Sequence, residues 1–218
     1  HREAVAVLGQ TIDDTVGRIK QFLGRPTVNA NGDVAFVSVM TPPEDKPAAL
    51  TDPTPAALFL RRNGVLSVVA TSKQETDLGL LDLVSPVDLF TYDGSSTDIV
   101  ERTPGLGDDG TVAFVASTVE STGAPKSSGL FVKPAGGAIA SLVEVGREFA
   151  GGTVELVGPP VVSGPTNDVT FRVFLDVTTD FVNAIVRLSG GTATTLVQAP
   201  FTVKILPFVG NEEQDVFE

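Results

Sequence analysis

Three times along the chain a polar, turn-prone cluster runs into a short and tightly alternating apolar strand: "NANGDVAF" ending at Phe36, "GDDGTVAF" at Phe114 and "GPTNDVTF" at Phe171. Alternation with a period of two is the mark of a half-buried strand, and Asn, Asp and Gly mark the turn before it. After each core comes a second β-rich pair, in "ALFLRRNGVLSVVATS", "GLFVKPAGGAIASLVEVG" and "AIVRLSGGTATTLVQAP". There Asn63-Gly64, Gly136-Gly137 and Gly190-Gly191 are dipeptides that tolerate the positive φ of a hairpin turn. Ahead of each core a further strand is predicted, in "RIKQFLGRPTV", "STDIVERTPGL" and "TVELVGPPVV", and Arg18, Ser96 and Thr153 each stand 18 residues before the phenylalanine of their unit.

Each unit is therefore a run of about four short antiparallel strands, and a four-strand meander repeated every few tens of residues is the pattern of a β-propeller blade. The prediction is an all-β, β-propeller-type repeat in one domain, residues 1–218, with units over 30–105, 106–163 and 164–210. Residues 5–29 read as a half blade and 211–218, with Phe217 in the motif position, as the opening strand of another. Such ends suit a ring of about four blades with one blade shared by the termini, or a fragment of a larger array. Ala35, Ala113 and Thr170 are small enough for close approach of strands, while Phe36, Phe114 and Phe171 are expected to fill the space between packed sheets.

At these residues the sequence resembles the NxxGxxAF tandem-repeat proteins of bacteria, a choice-of-anchor type of exported protein. "NANGDVAF" matches every defined position; "GDDGTVAF" has Gly107 in place of the asparagine, and "GPTNDVTF" keeps chiefly Phe171. The resemblance spans about Val5 to Pro200. It implies a secreted or surface-displayed, propeller-like protein, and it carries no catalytic residues with it.

The surplus spacing between the first two units is "KQETDLGLLDLVSPVDLFTYDG", an insertion over 73–94. Leu80, Leu81, Leu83, Phe90 and Tyr92 make it too apolar for a solvated loop, so it either covers a blade edge or meets a partner. The partners in view are a protein or glycan at the surface, or a second copy held through unpaired terminal strands.

Charge narrows the chemistry. With 15 Lys+Arg against 27 Asp+Glu the net charge is -12, which repels a phosphate backbone and an anionic membrane, so nucleic acid is no partner. No apolar run approaches the roughly 20 residues of a membrane span. The opening "HREAVAVLGQ" has neither initiator methionine nor apolar signal core, so the chain reads as a processed or excised product, or His1 as a tag remnant. The absence of cysteine removes disulfides and thiolate metal sites, and a single histidine at the terminus leaves no base for a serine nucleophile.

Two chemistries survive. A carboxylate pair drawn from Asp13, Asp14, Asp108, Asp109 and Asp180 would serve acid/base cleavage of a glycan, although their spacing selects no pair and turn aspartates are ordinarily solvated. The oxygen-rich turns at Asn29, Asp33, Asp108 and Asp109 offer the ligand types that Ca2+ accepts, without the full Asp-x-Asn-x-Asp-Gly loop. The predicted function is that of a non-enzymatic structural or binding module, with a carbohydrate-active propeller as the alternative.

Overall fold

The computed structural model describes residues 4–13, 17–41, 55–84, 102–164, 166–177, 180–201, 205–206 and 216–217. Every regular element in them is a strand and every pairing is antiparallel. The first sheet has the order β1-β2-β3-β4-β5, from Thr11–Asp13, Gly17–Val28, Val34–Thr41, Ala56–Arg62 and Val65–Thr71. The second contains β6 (Glu75–Thr76), β7 (Gly79–Asp82), β8 (Gly105–Leu106), β9 (Val112–Val119), β10 (Pro125–Lys133) and β11 (Ala140–Glu144). The third contains β12 (Glu148–Phe149), β13 (Gly152–Val157), β14 (Val161–Val162), β15 (Val169–Val177), β16 (Asp180–Ser189) and β17 (Thr192–Phe201).

The heart of each sheet is a four-strand meander: β2-β3-β4-β5, β7-β9-β10-β11 and β13-β15-β16-β17. The motif phenylalanines hold one register in it. Phe36 lies opposite Phe59, Phe114 opposite Phe131 and Phe171 opposite Val186. Two of these pairs stack, with ring centroids 5.2 Å apart for Phe36 and Phe59 and 5.7 Å for Phe114 and Phe131. In the third sheet, where valine replaces the partner ring, Phe149 comes to 5.9 Å from Phe171 instead.

Successive sheets pack face to face, and alternation sets which side chains meet. Ala35, Val37, Leu58 and Leu60 of the first sheet enclose a core with Phe114, Phe131, Val112 and Leu106 of the second. Ala113, Val115 and Leu130 on the other face of the second sheet share a core with Phe171, Val173, Val182 and Val186 of the third. At each joint the small motif residue of one sheet faces the motif phenylalanine of the next. An alanine side chain, a single methyl group, lets the backbones approach, and the ring fills what remains. Among the described residues Phe36 packs with Ile19, Met40 and Phe59 against Val5, Ala6 and Ile12.

The first strand of the meander is where the units differ. In the first sheet β2 is continuous, with its register broken between Leu23 and Thr27. In the third the same strand falls into β13 and β14, both paired with β15. In the second it falls into β7 and β8, which pair with opposite ends of β9. The extra residues of the second unit thus lie inside its first strand, between β7 and β8, and not between the hairpin and that strand. Arg18 pairs with Thr41 and Thr153 with Asp176, each partner five residues beyond its motif phenylalanine. The corresponding Val119 pairs with Leu80, and Ser96 lies outside the described residues.

The first sheet also takes in much of the segment read as a half blade, because β2 pairs with β3. Nor do the termini share a blade among the described residues. β18 (Ile205–Leu206) and β19 (Val216–Phe217) pair with each other, and β1 occupies part of the free edge of β2. Two hairpins turn as predicted, on Asn63-Gly64 with φ of 51° and 79° and on Gly190-Gly191 with 55° and 82°. The third is longer: a Pro134 to Gly137 turn, closed by the Gly137 N–H on the Pro134 carbonyl at 2.9 Å, with only Gly136 at positive φ.

Candidate functional site

The three motif turns meet at the joints between sheets. Their common demand is a left-handed residue at the fourth motif position, where φ is 80° at Gly32, 91° at Gly110 and 55° at Asn167. Asparagine is among the few side chains that tolerate this region, which explains why the third copy departs from glycine without losing the turn.

In the first turn Asn29 acts in two directions. Its Oδ1 accepts the backbone N–H groups of Asn31 at 3.1 Å and Asp33 at 2.9 Å, while its Nδ2 donates to the Gly107 carbonyl of the next turn at 3.0 Å. The second turn replaces this cap with Asp109, whose Oδ1 accepts from Thr111 N–H at 2.7 Å and whose Oδ2 accepts from the Thr111 hydroxyl at 3.0 Å. In the third turn, one residue longer, Ser163 Oγ accepts from Asp168 N–H at 3.1 Å. Ser163 is therefore the counterpart of Asn29, a role that aligning Gly164 with Asn29 by sequence misses; a hydroxyl five residues ahead of an aspartate was the signal for it.

Asp108 and Asp109 stand between the outer two turns. Asp108 Oδ1 accepts the Ala30 N–H at 3.1 Å and its carbonyl accepts Asn31 Nδ2 at 2.7 Å. Its other carboxylate oxygen lies against Gly164, where a side chain would collide with it. Asp109 Oδ2 accepts from Asn167 Nδ2 at 2.9 Å, and the Asp109 carbonyl accepts from Arg62 Nη1. Arg62 also lies 3.6 Å from the buried Asp33 carboxylate, which in turn accepts from Asn29 Nδ2 at 3.1 Å. Asp168, the third-sheet equivalent of Asp33, is held below the ordinary carboxylate range by hydrogen bonds from the Ser189 and Thr166 hydroxyls, with burial opposing and the Arg187 charge assisting.

The sequence-predicted metal candidates Asn29, Asp33, Asp108 and Asp109 are thus brought into one row. Their oxygens face N–H and O–H donors and a guanidinium, and among the described residues no three acidic or imidazole side chains gather around a point that a cation could take. A divalent ion would have to displace donors already in place. Among the described residues Asn167 Oδ1 is buried with no hydrogen-bond partner.

Of the carboxylates considered for glycan cleavage, Asp13 and Asp180 are placed only through their strands, the ends of β1 and the start of β16, and Asp14 lies outside the described residues. Leu81 and Leu83, considered for partner contact, are buried in the core between the first two sheets, and Leu80 is half-buried on β7. Phe90 and Tyr92 lie outside the described residues. No helix among the described residues is long and apolar enough to cross a membrane.

Residues 2–167 match the profile of a family described as "Family of unknown function (DUF7453)", a span reaching from the N-terminal segment through the first two sheets to the third motif turn. No curated protein matches the chain.

Proposed function

We propose that this chain, which belongs to the DUF7453 family, is a non-enzymatic extracellular or cell-surface module of propeller-type blades that binds a protein or glycan. The observation that carries the reading is the use made of the motif residues. Asn29, Asp108, Asp109 and Asn167, polar groups well suited to chemistry, are occupied in joining one sheet to the next, and Asp33 is held by Asn29 and Arg62 of its own sheet. Groups fixed by several hydrogen bonds to backbone serve as joints, whereas a general acid or base needs a proton-carrying face open to substrate. The propeller arrangement is supported by three four-stranded meanders stacked in one sense, and export by the resemblance to NxxGxxAF repeat proteins.

The test is a glycan array and a panel of surface proteins, run beside a polysaccharide-depolymerisation screen. Saturable binding without turnover is the expected result. Turnover of any polysaccharide that is lost on replacing one aspartate would overturn the reading in favour of a carbohydrate-active propeller.

A further inference from the structure

We propose that Asn63, at the tip of the β4–β5 hairpin, is a site of spontaneous covalent modification by deamidation, and that the isoaspartate formed there loosens the joint between the first two sheets. The chain contains two Asn-Gly sequences, Asn31-Gly32 and Asn63-Gly64. A glycine in second place has no Cβ to hinder its backbone nitrogen. That nitrogen attacks the asparagine Cγ, the new N–Cγ bond replaces the Cγ–Nδ2 bond, and ammonia leaves with the proton the nitrogen gives up. Water then opens the resulting succinimide. Breaking the N–Cγ bond yields aspartate. Breaking the bond to the α-carbonyl yields isoaspartate, whose main chain runs through Cγ and is one methylene longer.

The dipeptide is the same at both places, and the structure separates them. Both turns are exposed. At Asn31 the reacting groups are held: Nδ2 donates to the Asp108 carbonyl at 2.7 Å, the Asn31 N–H donates to Asn29 Oδ1 at 3.1 Å, and the attacking nitrogen of Gly32 donates to the Asn29 carbonyl at 3.1 Å. The first of these bonds crosses to the turn of the next sheet, so freeing the Asn31 amide means opening the joint. At Asn63, among the described residues, neither the side-chain amide nor the Gly64 N–H has a hydrogen-bond partner. Nothing lies within 4 Å of the place that a Gly64 side chain would take. The nitrogen reaches Cγ when the turn rotates out of its left-handed backbone, and the closing Arg62–Val65 pair is what resists that rotation. Hairpin tips open locally far more often than joints between packed sheets.

The consequence runs through Arg62, the residue before Asn63. Its guanidinium donates to the Asp109 carbonyl of the second sheet and lies 3.6 Å from the buried Asp33 carboxylate. A two-residue turn has no slack, so an added methylene displaces Arg62 against Val65 and draws its side chain from both partners. Aspartate brings the same added charge with an unchanged main chain and leaves Arg62 where it is. The inference is independent of what the module binds, so turnover of a polysaccharide would leave it standing.

The test holds the intact chain in mildly alkaline buffer, folded and in urea, and follows its peptides by mass spectrometry with fragmentation that separates isoaspartate from aspartate. In the folded chain Asn63 should convert roughly tenfold or more faster than Asn31, and in urea the two rates should converge. Equal rates in the folded chain, faster conversion of Asn31, no conversion of Asn63 while the unfolded chain converts, or a ratio that survives in urea would each overturn the assignment. The converted chain is then isolated by its added negative charge. Its isoaspartate form should unfold at lower urea than the Asn63→Asp variant, with Asn63→Gly as the reference should that variant fail to give the wild-type far-UV spectrum. Coincident unfolding curves would overturn the coupling to Arg62.

Discussion

Replacing Phe114 by alanine tests the stacking of the sheets most directly. The ring is 3% exposed, lies against Phe131 at 5.7 Å, and belongs to a core contributed by two sheets, with Ala35, Leu58 and Leu60 opposite. Truncation removes the transfer energy of the ring and leaves a cavity whose walls are both held, one by the Phe131 register and one by the hydrogen-bonded turns. Collapse is then limited, and the loss should fall near the middle of the range for buried phenylalanines, about 4 kcal/mol, of which roughly 1 kcal/mol is the ring pair. The same change at Phe36 should cost less, about 2–3 kcal/mol, because its cluster opens to an apolar cleft and Phe22 can move into the space. Urea unfolding followed by far-UV circular dichroism is the assay, since the chain has no tryptophan and a single tyrosine. A loss below about 1 kcal/mol for Phe114→Ala, or a larger loss for Phe36→Ala than for Phe114→Ala, would refute the assignment of faces.

The turn joints make further predictions. Asp109→Ala and Asn167→Gly should each destabilise by about 1–2 kcal/mol, and a double-mutant cycle should return a coupling of about 0.5–1 kcal/mol for the 2.9 Å bond between them; additive losses would show that the bond contributes nothing. Gly107→Ala, whose side chain would run into Asn167 and Val162, should be more damaging than Gly64→Ala, which has open space and only a left-handed φ of 79° to oppose it, at about 1–2 kcal/mol. Because the folded-state pKa of Asp168 is lowered, its contribution to stability is fully present above its ordinary value of 3.8 and disappears as pH falls through the lower folded value. Unfolding midpoints of the wild type and Asp168→Asn should therefore differ at neutral pH and converge in acid, and a constant difference would refute the assignment. Thermal melts should be the same with Ca2+ and with chelator, since the turn carboxylates already face donors; a melting temperature raised by Ca2+ and abolished in Asp109→Asn would show that the ion displaces them.

The amino-acid sequence by itself determined the repeat, its strand class, the buried motif phenylalanines and two of the three hairpins. These properties are local: alternation sets the strand period, and a left-handed backbone favours glycine or asparagine at positions such as Gly64, Gly110 and Asn167. Tertiary structure alone decided which face of each sheet meets which neighbour, because alternation places Phe114 and Ala113 on opposite sides without saying what lies beyond either. It also made core residues of Leu81 and Leu83. Their strand is the first half of one edge of β9, its second half comes at Gly105 and Leu106, and a strand divided by an insertion sends two short signals that no local pattern joins. The joints were equally hidden. Asn29 and Gly107 are 78 positions apart, as are Ala30 and Asp108, and Asp109 and Asn167 are 58 apart. A turn aspartate looks the same in sequence whether its carboxylate faces water, a metal or the backbone of the next sheet, and only the approach of that sheet, set by the packing of small residues against phenylalanines, selects among them.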